Sequence, residues 1–241
     1  RWQATPSAWI IVPRLNPQQV IPLSEMQVKF PKTYAYLKRF EPILLQRKDA
    51  MTQGALKRGE PFYFYGAVGD YTFAPWKVVW PNIASSLQAA VVGHAHGRQV
   101  IPQHIITLVA CHSEDEAHYI CALMNSSLAN FAARSYSQEG GKSFGDPHIL
   151  DHICIPRYDP NNPVHRRLAE LSQQAHQLMG GDPSPGGLSI EKSKAIIQYI
   201  EQRRRRGRLN QQTADEIISA LQAAQPGTAQ LDAIEAEIDQ L

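Results

Sequence analysis

The chain has 241 residues, 43% hydrophobic and 19% charged, with a formal net charge of +2. That composition suits one globular domain with or without an appendage and excludes a disordered chain. No apolar run approaches the roughly 20 residues of a membrane helix, so no membrane partner is expected.

Residues 1 to 30 are rich in Pro and Gln, with β-type runs at Trp9-Ile10-Ile11-Val12 and Val20-Ile21. Pro31 fits the first position of a helix over Thr33–Arg39, with Tyr34, Leu37 and Phe40 on one side. Pro42 lacks a donor and should break or kink it. Ile43 to Ala50 resumes as a second short helix, and Gln53 to Pro61 reads as loop. Phe62 to Pro81 is the aromatic centre, and its alternating large residues predict two strands, Phe62–Tyr65 and Lys77–Trp80. Val91-Val92 and Ile105–Ala110 are further strand candidates. Ser113-x-x-Glu116 is a capping box that opens a helix, and Tyr119, Ile120, Leu123, Met124, Leu128 and Phe131 lie on one face of it. That pattern fades at Ser135–Gln138 and Gly140-Gly141 breaks it. A polar loop follows, and Leu150–Ile155 reads as a strand closed by Pro156.

Composition shifts at Tyr158–Pro163, a boundary beyond which the chain reads as helical. Leu168, Leu171, Ala175 and Leu178 form a narrow seam, and Leu231, Ile234, Ile238 and Leu241 repeat its spacing. An antiparallel pair is expected. Between the seams, Ile190 to Arg206 is a helix ended by Gly207, and Thr213-x-x-Glu216 caps another. The expected fold is α+β: a mixed twisted sheet with packed helices over residues 1–160, then a helical appendage over 161–241.

The small net charge is unevenly spread. Between Lys29 and Arg58 stand eight basic residues against two acids, Arg203–Arg206 with Arg208 form a second cluster, and Leu209–Leu241 holds six acids with no Lys or Arg. Such clusters fit a polyanion-binding face as well as an ordinary solvated helix surface. Catalytic patterns are weak by comparison. Phe64-x-Gly66-x-x-Gly69 is not followed by a helix start, so it reads as a hairpin turn rather than a nucleotide loop. His94-x-His96 and Cys111-His112 lack the second close pair that structural zinc needs. There is no Gly-x-Ser-x-Gly elbow and no phosphate loop. Cys111, Cys121 and Cys154 have no paired spacing, which suits buried thiols in a reducing cytoplasm. The opening Arg1 in place of Met reads as a piece of a longer protein.

Several stretches together resemble the TaqI-like target-recognition (specificity) region of adenine-N6 DNA methyltransferases and combined restriction–modification enzymes. They are Phe30-Pro31-Lys32-Thr33-Tyr34-Ala35-Tyr36-Leu37-Lys38-Arg39-Phe40-Glu41 with Leu45-Gln46-Arg47, and Phe62-Tyr63 with Ala74-Pro75-Trp76-Lys77-Val78-Val79-Trp80. Ala122-Leu123-Met124-Asn125-Ser126, Gly140-Gly141 and Leu150-x-x-Ile153-x-Ile155-Pro156 continue the likeness, and the two seams resemble the helical tail of the same enzymes. The segment from about Ser189 to Ala224 departs from the pattern and reads as an insertion.

The resemblance implies recognition of double-stranded DNA. Methyl transfer, with its S-adenosylmethionine, would belong to a catalytic domain on the same chain, and no cofactor is expected in this fragment. Residue chemistry suggests that Lys38, Arg39, Arg47 and Lys48 hold phosphates. Arg134, Tyr136, Gln138, Lys142 and Ser143 in the polar loop, with Lys77, His94, His96 and Arg98, would face bases or grooves. The alternative is an assembly module that uses the helical seams, with the arginine run docking an acidic partner.

Overall fold

The computed structural model describes residues 1–84, 86–103, 105–136, 153–180, 190–224 and 226–241. Its helices are α1 (Leu23–Lys29), α2 (Pro31–Lys38), α3 (Glu41–Leu45), α4 (Ala50–Lys57), α5 (Glu114–Asn125), α6 (Ser127–Tyr136), α7 (Pro163–Gly180), α8 (Ile190–Arg205), α9 (Gln211–Ala224) and α10 (Pro226–Gln240). The strands are β1 (Trp76–Pro81), β2 (Ala90–Val92), β3 (His94–Ala95), β4 (Arg98–Gln99) and β5 (Ile106–Cys111). The fold is α+β with a helical carboxy-terminal part. Contacts divide it into a larger unit (Arg1–Thr5, Pro75–His94, Pro102–Leu241) and a smaller one (Pro6–Ala74, Ala95–Ile101). Residues 102–241 all lie in the larger unit, where α7 packs on α5.

In the larger unit, β1 is the middle strand of an antiparallel sheet ordered β2-β1-β5, with Val78 opposite Val91 and Val109. Val78 and Trp80, two residues apart and so on the same face of the pleat, enter the main core with Trp2, Tyr119, Met124 and Leu171. Helix α5 starts where the capping box places it. Ser113 Oγ accepts the Glu116 N–H at 3.2 Å, and the Glu116 carboxylate accepts the His112 N–H at 2.9 Å. Buried Asn125 then binds both main-chain groups of Ala89, each at 2.9 Å, and so fixes the approach to β2.

Ser126 takes an extended ψ of 155° and ends α5, and its hydroxyl accepts the Ala129 N–H of α6. The single helix face expected through Leu128 and Phe131 is therefore broken. Helix α6 buries Ala129, Asn130 and Ala133 and leaves Leu128 and Phe131 exposed. Of the strand expected at Leu150–Ile155, the described Ile153–Ile155 carry no ladder, though Ile153 and Ile155 pack on the core.

The two seams meet as expected. Leu168, Leu171 and Ala175 share one core with Leu231, Ile234 and Ile238, while Leu241 lies half exposed beyond it. Arg167 near the start of α7 forks onto Glu237 near the end of α10, at 2.6 and 2.9 Å. Helix α9 begins earlier than Thr213-x-x-Glu216 suggests, because Asn210 Oδ1 accepts the Thr213 N–H and acts as the cap. Cys111 and Cys121 are buried, whereas Cys154 is exposed, contrary to expectation.

The smaller unit departs further from the expected β-runs. Trp9–Val12 and Val20–Ile21 yield one isolated bridge, Arg14 to Val20. Pro42 sits in the first turn of α3, where its missing N–H costs nothing, and so starts a helix instead of kinking one. Part of the expected loop after Gln53 is α4, capped by Asp49 on the Thr52 N–H at 2.8 Å. Phe62–Tyr65 joins no ladder, and Gly66–Gly69 leads into a short 3-10 helix, Asp70–Phe73, instead of a hairpin. The carbonyls of the aromatic stretch are taken by arginines. Arg47 donates to Leu44 O, Phe64 O and Phe62 O at 2.8, 2.7 and 2.9 Å, and Arg14 donates to Tyr65 O at 2.7 Å. Tyr63 Oη donates to Ile21 O, which ties the stretch to the core of Val20, Ile21, Met26 and Phe62–Phe64.

Two histidines lock α5, α7 and β2. His176 Nε2 accepts the Val91 N–H at 2.8 Å, so its proton lies on Nδ1, donated to Ser172 O at 2.7 Å. His118 Nδ1 pairs with Ser172 Oγ at 3.0 Å, and the two imidazoles meet edge to face at 4.8 Å. Burial, and for His118 also its neighbour His176, holds both below the usual 6.5, His118 down to about 3. As pH falls the unfolded chain therefore takes up protons first. Stability is complete above about 6.5 and declines below it, by up to about 1.4 kcal/mol per pH unit for each histidine. The urea midpoint is expected to drop between pH 7 and pH 5, and His118→Gln to flatten that dependence. A midpoint independent of pH in this range would contradict the neutral pair.

Candidate nucleic-acid interface

At the tip of the β3–β4 hairpin, His96 and Gly97 both adopt left-handed backbone, with φ of 51° and 70°. Two such residues in succession make the tight turn whose twist matches paired strands. The turn presents His96 and Arg98 to solvent. Gln99, one residue further, anchors the hairpin by donating to Phe73 O and Ala74 O at 2.6 and 2.8 Å.

Trp9 lies beside this turn, 73% exposed. The Arg98 guanidinium carbon stands 5.5 Å from the Trp9 ring centre, and the His96 ring is 6.3 Å away. Cation–π attraction of roughly 0.5–1 kcal/mol at an exposed site orients the guanidinium without consuming its donors. Neither Arg1–Ser24 nor Tyr71–Ser113 contains an Asp or Glu, so these two sequence stretches supply no local carboxylate to neutralise it. The group thus combines an aromatic plane, a fork of donors and an imidazole.

The other expected contacts are placed differently. Arg39, just past the end of α2, and Lys48, in the loop between α3 and α4, are exposed, as are Lys32, Lys57 and Arg58. Lys38 is engaged with Glu41 and stands 5.6 Å over the Phe62 ring, and its hydrogen bond to Glu41 raises its pKa. Arg47, committed to three carbonyls, holds the fold instead of offering its fork to phosphate. Lys77 is fully buried in β1, and desolvation lowers its ammonium to about 8, so no part of it reaches a groove. His94 is exposed on β3, and Arg134 and Tyr136 are exposed at the end of α6. Gln138, Lys142, Ser143 and Gly140-Gly141 lie outside the described residues. Nothing adjacent in sequence marks Trp9 for this role, because its partner Arg98 is far off in the chain; the one local hint is an acid-free surrounding.

Among the described residues, Gly66-x-x-Gly69 does not fit an S-adenosylmethionine loop. Such a glycine turn must open a helix whose amino end faces the ligand. Gly66-x-x-Gly69 opens only the four-residue 3-10 helix Asp70–Phe73.

No protein-family model matches the chain. A curated protein, the Type II methyltransferase M.NspV of Nostoc sp. (strain ATCC 29411 / PCC 7524), is 30% identical to it over 99 residues. This chain is similar to a Type II methyltransferase. The matched stretch covers 41% of the chain and 20% of that enzyme, so the likeness spans a fifth of the relative.

Two substitutions separate structural from surface cations. Arg47→Ala orphans three carbonyls and is expected to lower stability by about 2 kcal/mol or more. Arg39→Ala, at an exposed position, is expected to change it by less than about 0.5 kcal/mol. Urea unfolding reads both; a neutral Arg47→Ala or a strongly destabilised Arg39→Ala would contradict these assignments.

Proposed function

We propose that the chain is the sequence-specific, duplex-DNA-recognising part of an adenine-N6 DNA methyltransferase or combined restriction–modification enzyme. Arg98, oriented on Trp9 at the hairpin turn with His96 beside it, is the single observation that carries the reading. A guanidinium held by stacking meets the acceptor edge of a guanine in the major groove with both donors. The similarity to a Type II methyltransferase over 99 residues supports DNA as the ligand. Exposed Arg39 and Lys48 would hold phosphates, with His94, Arg134, Tyr136, Gln138, Lys142 and Ser143 as further groove contacts. S-adenosylmethionine and methyl transfer belong, in this reading, to a catalytic domain elsewhere on the same chain, in the cytoplasm. The burial of both helical seams inside one core weighs against the assembly alternative.

Of the four tryptophans, Trp2 and Trp80 are buried, Trp76 is partly covered and Trp9 is open. Duplex DNA is therefore expected to quench the chain's fluorescence, and Trp9→Phe to abolish most of the change. Arg98→Ala should reduce the preference between duplexes by about 1–3 kcal/mol per base pair read. A chain that binds no duplex at low salt would overturn the proposal.

A further inference from the structure

Helix α8 ends on a run of arginines that the recognition face does not use. Gly207, at φ 65°, stops the helix. The Arg208 N–H donates to Arg203 O and the Gly207 N–H to Arg204 O, both at 2.9 Å. This is the pair of bonds that satisfies the last carbonyls of a helix. The main chain closes the turn by itself, so the arginine side chains are not needed as caps. Arg203 is engaged with Tyr199, its Nη1 donating to the hydroxyl at 2.8 Å and its guanidinium 5.7 Å from the ring centre. Arg204 reaches Asp215 at 3.4 Å.

Arg205, Arg206 and Arg208 are exposed, and among the described residues no carboxylate lies within ion-pair distance of them. Successive helical residues are turned by about 100°, so Arg203–Arg206 encircle the helix end as a knob. A helix dipole rewards a cation in the last turn by roughly 0.3–1 kcal/mol, but three unpaired charges within four residues repel one another. A protein interface would present an apolar centre with charge at its rim. Among the described residues of α8 the exposed large side chain is Tyr199, already engaged by Arg203. The chemistry that fits is a run of phosphates.

We infer that the end of α8 is a second anchor for the phosphate backbone of duplex DNA; the inference rests on the DNA-recognition reading above. It binds without reading sequence. Unlike Arg98, these three guanidinium groups are held by no stacking partner among the described residues and have no fixed direction toward a base edge.

The test compares the full chain with a triple variant, Arg205→Gln, Arg206→Gln and Arg208→Gln, on a preferred and a scrambled duplex over a salt series. All three positions are exposed, and an unchanged melting temperature checks that the variant folds. Loss of three phosphate contacts should lower the slope of log affinity against log salt by about 2.7. Both duplexes should weaken equally, and the Trp9 fluorescence change should persist at saturation. An unchanged slope in the variant, with the wild-type chain still binding DNA, overturns the anchor alone. That result combined with lost binding to a polyglutamate peptide would assign the knob to an acidic protein instead. Absence of duplex binding by the wild-type chain overturns the recognition reading and the anchor together.

Discussion

The smaller unit depends on guanidinium groups that stand in for a β-ladder. Phe62–Tyr65 brings the side chains of Phe62, Tyr63 and Phe64 into one small core, with no paired strand to donate to the carbonyls of the stretch. A buried carbonyl left bare costs on the order of 1–3 kcal/mol, comparable to the stability a small unit has to spare. Arg47 spans Leu44, Phe62 and Phe64, and Arg14 takes Tyr65 while lying 5.7 Å from the Phe64 ring centre. The planar fork makes this possible, since its donors diverge in one plane while its flat face rests on aromatic carbon. A lysine at either place would satisfy fewer acceptors.

Arginines in this chain thus divide by what restrains them. Arg47 and Arg14 are spent inside the smaller unit. Arg98 is oriented by Trp9 yet keeps its donors toward solvent, which suits a contact that must discriminate between bases. Arg205, Arg206 and Arg208 are oriented by nothing described, which suits a contact that need only be cationic. Net charge conveys none of this, because a chain at +2 can hold both a reading group and an anchoring one. The same division leaves the basic region Lys29–Arg58 with fewer uncommitted cations than its eight suggest, since Arg47 is withdrawn and Lys38 is shared with Glu41.

Much of the larger unit was legible because its signals are local or periodic. The Ser113 cap, the strand Lys77–Trp80, the leucine seams and the Gly207 stop each follow from a few adjacent residues. The misreadings share a cause. Phe62–Tyr65 alternates like a strand, but arginines 15 or more residues away satisfy its carbonyls, and no periodicity encodes that. Leu128 and Phe131 keep the helical spacing of α5, yet one serine in extended conformation rotates them out of the core. Lys77 looked like a surface cation because a buried lysine carries no sequence mark. The candidate site was half visible, with His96 and Arg98 recognisable by type and Trp9 hidden by its distance along the chain.

Whether the chain reads a base sequence in duplex DNA is decided by selecting bound duplexes from a randomised pool with the full chain and sequencing them. A single short motif should be enriched over successive rounds, and that enrichment should collapse with Trp9→Ala and Arg98→Ala. A folded chain that enriches no motif from the pool would contradict sequence reading.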